Sequence, residues 1–227
     1  MDIAINVNGA INDAEHATVS ALDRGFLFGE GVYETLRTYN RQPFLLDRHL
    51  DRLRASAGHL SLTVPLDDTE YADQIDETLT AISNKETELY IRLLVTRGAG
   101  DLTYAPDSCP TPTTVIIVRP YAGGPTDLDE KGITVVRSSI VRNHPAALNP
   151  IIKSNNLLNN ALAMQEALKA GADEALMCNY RGEVAECAQS NIFIVRDGIS
   201  LTPRLDTGLL EGCLLYTSDA ADDTPCV

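Results

Sequence analysis

Between Tyr121 and Lys131 the hydrophobic patterning of this 227-residue chain stops. Gly123-Gly124-Pro125 is followed by Asp127, Asp129 and Glu130, and neither a helix nor a strand interior tolerates such a run. The interruption reads as a linker over 121–131. It constrains the fold to two cores built separately, one from residues 1–120 and one from residue 132 onward. A chain of this length is sufficient for both.

The first segment alternates between the two periodicities. Ile3, Ile5 and Val7 alternate, Asn8-Gly9 turns, and Ile11 starts the return of a hairpin. Ser20 to Gly31 reads as a loop rich in glycine and aromatic residues. Val32 to Tyr39 reads as a strand with Gln42-Pro43-Phe44-Leu45 as its hairpin partner. Leu46, Leu50, Leu53, Ala57 and Leu60 mark one amphipathic helix, and Tyr71, Ile75, Leu79 and Ile82 a second. Leu89, Ile91, Leu93 and Val95 alternate in a strand, with Thr113 to Val118 beside it. Strands and helices segregate, which predicts an α+β domain.

In the second segment Ile133, Val135 and Val136 predict a strand, Asp173 to Cys178 another, and Asn191 to Val195 a third, turning at Asp197-Gly198. Between the first two lies a helix. Leu157, Ala161, Met164 and Leu168 recur at helical spacing, with Leu158 and Leu162 widening the stripe. Ser154 or Asn155 is the expected cap and Gly171 the expected end. Lys153 then stands beside a helix N-terminus among apolar neighbours, where both the dipole and desolvation disfavour an ammonium. A neutral amine is what a Schiff base requires. A lone lysine at a helix start is ordinarily a solvated charge, so the reading depends on its company.

Composition excludes several classes. The formal net charge of −14 leaves nothing to neutralise the phosphates of a nucleic acid or an anionic membrane surface. No apolar run approaches transmembrane length and the N-terminus lacks a signal-peptide pattern. Cys109, Cys178, Cys187, Cys213 and Cys226 are scattered, and His16, His49, His59 and His144 show no ligand spacing, so no metal site is expected. A reducing cytoplasm is the expected compartment. From Cys213 onward small and acidic residues replace the hydrophobic pattern. The string resembles a translated sequencing-library adaptor, so 213–227 is expected to be a non-native tail on a C-terminally truncated chain.

Four further segments accompany Lys153: Asp23-Arg24-Gly25-Phe26-Leu27-Phe28-Gly29-Glu30-Gly31-Val32-Tyr33-Glu34-Thr35-Leu36-Arg37, His49-Leu50-Asp51-Arg52-Leu53, Gly182-Glu183-Val184-Ala185-Glu186-Cys187-Ala188-Gln189-Ser190-Asn191-Ile192-Phe193, and Thr207-Gly208-Leu209-Leu210-Glu211-Gly212. In this order and spacing they resemble the class IV aminotransferases, the fold-type IV pyridoxal-phosphate enzymes. The resemblance covers residues 1–212.

It implies a two-domain α+β fold like that of D-amino acid aminotransferase, incomplete at its C-terminus. Residues 1–120 would form the small domain and 132–212 the first part of the large cofactor-binding domain. It implies pyridoxal 5′-phosphate as cofactor, with Lys153 holding it and moving the proton at Cα. Arg52 matches the phosphate arginine, whose guanidinium fork suits that anion; otherwise it is a solvated helix charge. Glu186 matches the carboxylate that pairs with the pyridine nitrogen; otherwise it is a surface acid. Leu210 matches the residue packing on the ring face, or is simply core. Tyr33 matches a substrate-pocket tyrosine, with a core tyrosine nearly as good a reading. Gly25, Gly29 and Gly31 are expected to allow tight turns near the cofactor.

Within the family, Tyr90-Ile91-Arg92 matches the branched-chain enzymes, where the arginine receives the side-chain carboxylate of glutamate. Tyr90 and Arg92 alternate onto one strand face. Leu102 and Tyr104 stand where D-specific members carry an Arg-x-His trap for the α-carboxylate. Against this, Leu157 occupies the place of a tyrosine found in many branched-chain enzymes, and Glu34-Thr35 replaces Glu-Gly. The expected reaction is transamination between a branched-chain L-amino acid and 2-oxoglutarate, as in branched-chain amino acid biosynthesis. A D-amino acid aminotransferase and an aminodeoxychorismate lyase remain the alternatives. The family implies a homodimer or higher oligomer. A truncated chain is also expected to expose sheet edges and to turn over slowly, at the limit as an inactive globular fragment.

Overall fold

A computed structural model of the chain describes residues 1–85, 88–121, 123, 131–213 and 215. The expected linker therefore lies outside the described residues except for Tyr121, Gly123 and Lys131. So does the expected tail, except for Cys213 and Leu215. The chain forms two compact units, the first holding residues up to 123 together with 153–155, the second the remainder.

Among the described residues, the first unit is a six-stranded antiparallel sheet whose strands run from edge to edge as 10–12, 4–7, 113–120, 89–96, 31–39 and 42–43. β1 (Ala4–Val7) and β2 (Ala10–Asn12) form the opening hairpin, whose Asn8 and Gly9 both have positive φ (51° and 90°), as a two-residue primed turn requires. β3 (Gly31–Tyr39), β5 (Leu89–Thr96) and β6 (Thr113–Pro120) fall where alternation predicts. β4 is only Gln42–Pro43, shorter than expected. The loop expected before β3 contains a short helix, α1 (Arg24–Phe28), capped by the Asp23 side chain and ended by Gly29 at φ 70°.

Alternation gives this sheet two unlike faces. Ala4, Val32, Leu36, Ile91, Leu93, Val95, Ile116 and Val118 are buried on the face covered by α2 (Leu46–His59) and α3 (Asp68–Thr80). Those helices contribute Leu50, Leu53, Ala57, Tyr71, Ile75 and Leu79 to the core. An Asp67–Glu70 capping box starts α3. The other face carries half-buried Tyr33, Thr35, Tyr90, Arg92 and Leu94.

The second unit contains a three-stranded sheet, β7-β8-β9: β7 (Val135–Arg137) parallel to β8 (Glu174–Cys178), and β8 antiparallel to β9 (Val184–Cys187). The hairpin β10 (Ile194–Arg196) and β11 (Ile199–Leu201) turns at Asp197-Gly198. Residues 191–193, expected in that strand, precede it instead. The crossover helix α4 spans Leu158–Lys169 and is followed by Gly171 at φ 75°. Its face differs from the predicted stripe. Ala163 and Ala167 pack on Ala175, Met177 and Ala188, while Leu158 and Leu168 are 69% and 62% exposed. Small side chains let the helix lie close to β8, and that turns the leucines outward. Among the described residues, no helix is long and apolar enough to cross a membrane.

Candidate active site

Lys153 is positioned by backbone pairing. Ser154 bridges antiparallel to Val32, the Tyr33 amide donates to the Lys153 carbonyl (2.9 Å), and the Asn155 amide donates to the Gly31 carbonyl (2.9 Å). Residues 153–155 thus run as an added strand beside the start of β3. This corrects the expected helix cap. The backbone of residues 153–155 is committed to a neighbouring strand and to Ser56, whose Oγ accepts from the Lys153 amide (3.2 Å). The helix accordingly begins only at Leu158, with no side-chain cap, so the dipole argument for Lys153 falls away. A Cβ at Gly31 would lie 2.5 Å from Asn155 Nδ2 and 2.9 Å from the Val95 carbonyl, so only glycine permits this approach.

Position 153 faces Tyr33 across this pairing, and Lys153 Nζ lies 4.5 Å from the Tyr33 ring centroid. Arg92, on the neighbouring strand β5, places its guanidinium carbon 4.1 Å from the same centroid. One phenol ring therefore receives two cations. Burial pushes the Tyr33 phenol above its ordinary pKa, and the Arg92 charge offsets only part of this, so the hydroxyl stays protonated. Tyr90 shares the Arg92 face, with Arg119 4.9 Å over its ring. Leu102 and Tyr104 are highly exposed, and Tyr104 packs against Phe28 at 5.2 Å.

Arg52 is no solvated helix charge. Its side chain is 9% exposed, and its Nε and Nη2 donate to the two oxygens of Glu34, both at 2.6 Å. Glu34 itself is fully buried, in the core-facing row Val32-Glu34-Leu36-Thr38 of β3. His49 Nδ1 lies 2.7 Å from Glu34 Oε2. Burial pushes the Glu34 carboxyl up, but the hydrogen bonds from Arg52 and His49 and the charges of Arg52 and Lys153 outweigh it. The net shift is below the ordinary carboxylate value.

In the second unit Glu186, on β9, is 5% exposed and so is not a surface acid. Arg142 Nε donates to its Oε1 (2.8 Å) and the Leu210 amide to its Oε2 (3.1 Å). Asn159 Oδ1 accepts from Arg142 Nη1 (3.2 Å). Asn191 Nδ2 donates to the Leu210 carbonyl (2.9 Å), which pins the half-buried Leu210 from its other side.

The first unit thus brings Lys153, Tyr33 and Arg92 together and joins Arg52 to Glu34. The second brings Leu210 to Glu186. The donor set suits pyridoxal phosphate: a half-buried primary amine, a desolvated guanidinium held rigid by a carboxylate, and a separate buried carboxylate. Glu34 and His49 lie within the motif segments but have no role implied there, and Arg142 lies outside those segments. An acid in the core-facing row of β3 was the available signal for the first pair. Nothing in the pattern around Arg142 marked it.

The family model for class IV amino-transferases matches residues 31–217. A putative branched-chain-amino-acid aminotransferase of Methanocaldococcus jannaschii is 41% identical over 208 residues, 92% of this chain and 70% of the relative. A D-alanine aminotransferase of Listeria monocytogenes is 35% identical over 91% of this chain and 70% of that protein. The branched-chain aminotransferase of Thermoproteus uzoniensis, solved with norvaline, superposes with a TM-score of 0.86 at 32% identity, covering 96% of this chain and 74% of that one. The branched-chain enzyme of Thermobaculum terrenum, solved in its pyridoxal-phosphate form, gives 0.79 at 28% identity, covering 94% and 71%. Motif order, site chemistry, fold and relatives agree, and the chain belongs to the class IV aminotransferases, pyridoxal-phosphate-dependent transaminases of fold type IV.

Proposed function

We propose that the chain moves an amino group between a branched-chain L-amino acid and 2-oxoglutarate. The observation that carries this reading is Arg92 over Tyr33, beside Lys153. It sets the Arg92 guanidinium among Tyr33, Tyr90 and Leu94, on a face that also carries Thr35 and has Arg119 over Tyr90. Such a face accepts an aliphatic side chain by apolar contact and a distal carboxylate by a charge-assisted hydrogen bond.

Pyridoxal phosphate, when bound, supplies an aldehyde for the amino group and a conjugated ring for the electron pair released at Cα. Lys153 would hold the cofactor covalently through Nζ and, once an amino acid had displaced it, its free amine would move the proton between the substrate Cα and the cofactor's C4′. Arg52 binds the phosphate by charge-assisted hydrogen bonds. Glu186 holds a proton at the pyridine nitrogen, and Arg142 and the Leu210 amide fix the direction of its carboxylate. Leu210 would offer the ring an apolar contact. Tyr33, kept neutral, forms the pocket wall and has a hydroxyl to donate.

A D-amino acid reading is favoured by Leu157 and by the D-alanine aminotransferase relative. Arg92 weighs against it. A homodimer or larger assembly belongs to the same reading, as does a reducing cytoplasm, which suits the free thiols of Cys109, Cys178 and Cys187.

The test is glutamate formation by the purified chain, reconstituted with pyridoxal phosphate and 2-oxoglutarate. L-Leucine and L-valine are the expected donors. D-Alanine as the preferred donor would overturn the stereochemical assignment, and no transfer from any donor would overturn the activity.

A further inference from the structure

We propose that Glu34 and His49 form a buried brace that orients Arg52 for the cofactor's phosphate. The proposal rests on the aminotransferase reading above and assigns to these two residues a positioning role. A carboxylate in the core-facing row of a strand is a costly choice. Ion pairs taken out of water are commonly no better than well-packed apolar residues of the same volume. Here three ionisable side chains replace such packing: Glu34 fully buried, His49 3% and Arg52 9% exposed.

Their geometry fits aiming better than simple fastening. Both carboxylate oxygens meet the Nε–Nη2 edge of Arg52 at 2.6 Å, which locks the guanidinium plane and fixes where Nη1 points. His49, three residues earlier on the same helix, holds Glu34 Oε2 at 2.7 Å. An ionised carboxylate only accepts, so His49 Nδ1 carries the proton and donates. The brace therefore ties strand β3, helix α2 and the arginine into one rigid group. A phosphate monoester is bound best by a guanidinium whose orientation is already settled.

Simple charge would act in the opposite sense. Glu34 is an anion close to where a dianion would bind, and removing it would tighten binding if electrostatics alone decided.

The experiment compares pyridoxal phosphate with pyridoxal, which lacks only the phosphate. The absorbance band of lysine-bound cofactor reads both dissociation constants in the wild-type chain, E34Q, H49A and H49N. The brace predicts that E34Q weakens pyridoxal phosphate by about tenfold or more, the worth of a hydrogen bond to a charged group, and leaves pyridoxal nearly unchanged. H49A should do the same to a smaller extent, and H49N, which keeps a donor near the Nδ1 position, should restore wild-type preference. An independent readout needs no cofactor: the Arg52 Nε–H resonance should exchange slowly with solvent in the wild-type chain and in H49N, and quickly in E34Q. Equal weakening of both ligands, or tighter pyridoxal phosphate binding by E34Q, would overturn the brace while sparing the aminotransferase reading. A wild-type chain that binds neither ligand at Lys153 would overturn both.

Discussion

Arg142 shows how much a single side chain can carry. It is the cation paired with buried Glu186, and the pair lies in a low-dielectric setting with both members under a tenth exposed. Replacing it by alanine removes the paired charge from a buried carboxylate, a change that costs about 3–5 kcal/mol in comparable sites. Urea denaturation of R142A should show that loss. Arg92 makes a different prediction. R92L removes the cation and keeps the apolar wall, so KM for 2-oxoglutarate should rise by about tenfold or more while KM for L-leucine changes little; equal changes in both would detach Arg92 from the distal carboxylate. Glu34 contributes to acid stability. Its folded pKa lies below the unfolded one, so the unfolded state binds more protons in that window. The stabilisation it contributes is complete above the unfolded value, near 4, and is lost as pH falls through the folded value. The unfolding free energy of E34Q should vary less with pH below about 4 than that of the wild type.

Among single residues, the sequence marks Lys153, Arg52 and Glu186 as candidates only as a set, since alone Lys153 and Glu186 read better as surface charges and Arg52 is not distinguished from one. The Glu34–Arg52–His49 group was not legible. Alternation marks position 34 as core-facing, but which helix residue meets it depends on how α2 lies across the sheet, and no local pattern encodes that.

Among elements, the strands were the readable part. A two-residue Asn-Gly turn and a strict alternation over β3, β5 and β6 leave little freedom, because slipping by one residue would put Arg92 and Tyr90 in the core. The segment 153–155 escaped notice because three residues carry no periodicity. Ser154 and Asn155 have the chemistry of helix caps, yet their backbone is engaged by β3, and tertiary pairing overrides the local preference. The same pairing sets a prediction for Gly31. G31A forces Asn155 and the Val95 carbonyl apart, an overpacking that costs about 1–3 kcal/mol. Because the displaced element carries Lys153, G31A should also slow cofactor attachment more than a surface glycine substitution such as G58A does; a melting shift without slower attachment would show that the strand holds Lys153 less tightly than its hydrogen bonds imply.

For the molecule as a whole, the acidic balance hides a local reversal. A chain of net charge −14 gathers Lys153, Arg92 and Arg119 around the tyrosines of one sheet face. Net charge alone does not reveal that concentration, because it follows from strand register. The chain spans about 70% of the length of the curated relatives it matches. The account depends on Lys153 as the covalent anchor, and the direct test is chemical. The purified chain is incubated with pyridoxal phosphate, reduced with borohydride, digested and mapped by mass spectrometry. A single phosphopyridoxyl group on Lys153, absent from K153A, is the predicted result. An unmodified Lys153, or label spread equally over the chain's other lysines, would contradict it.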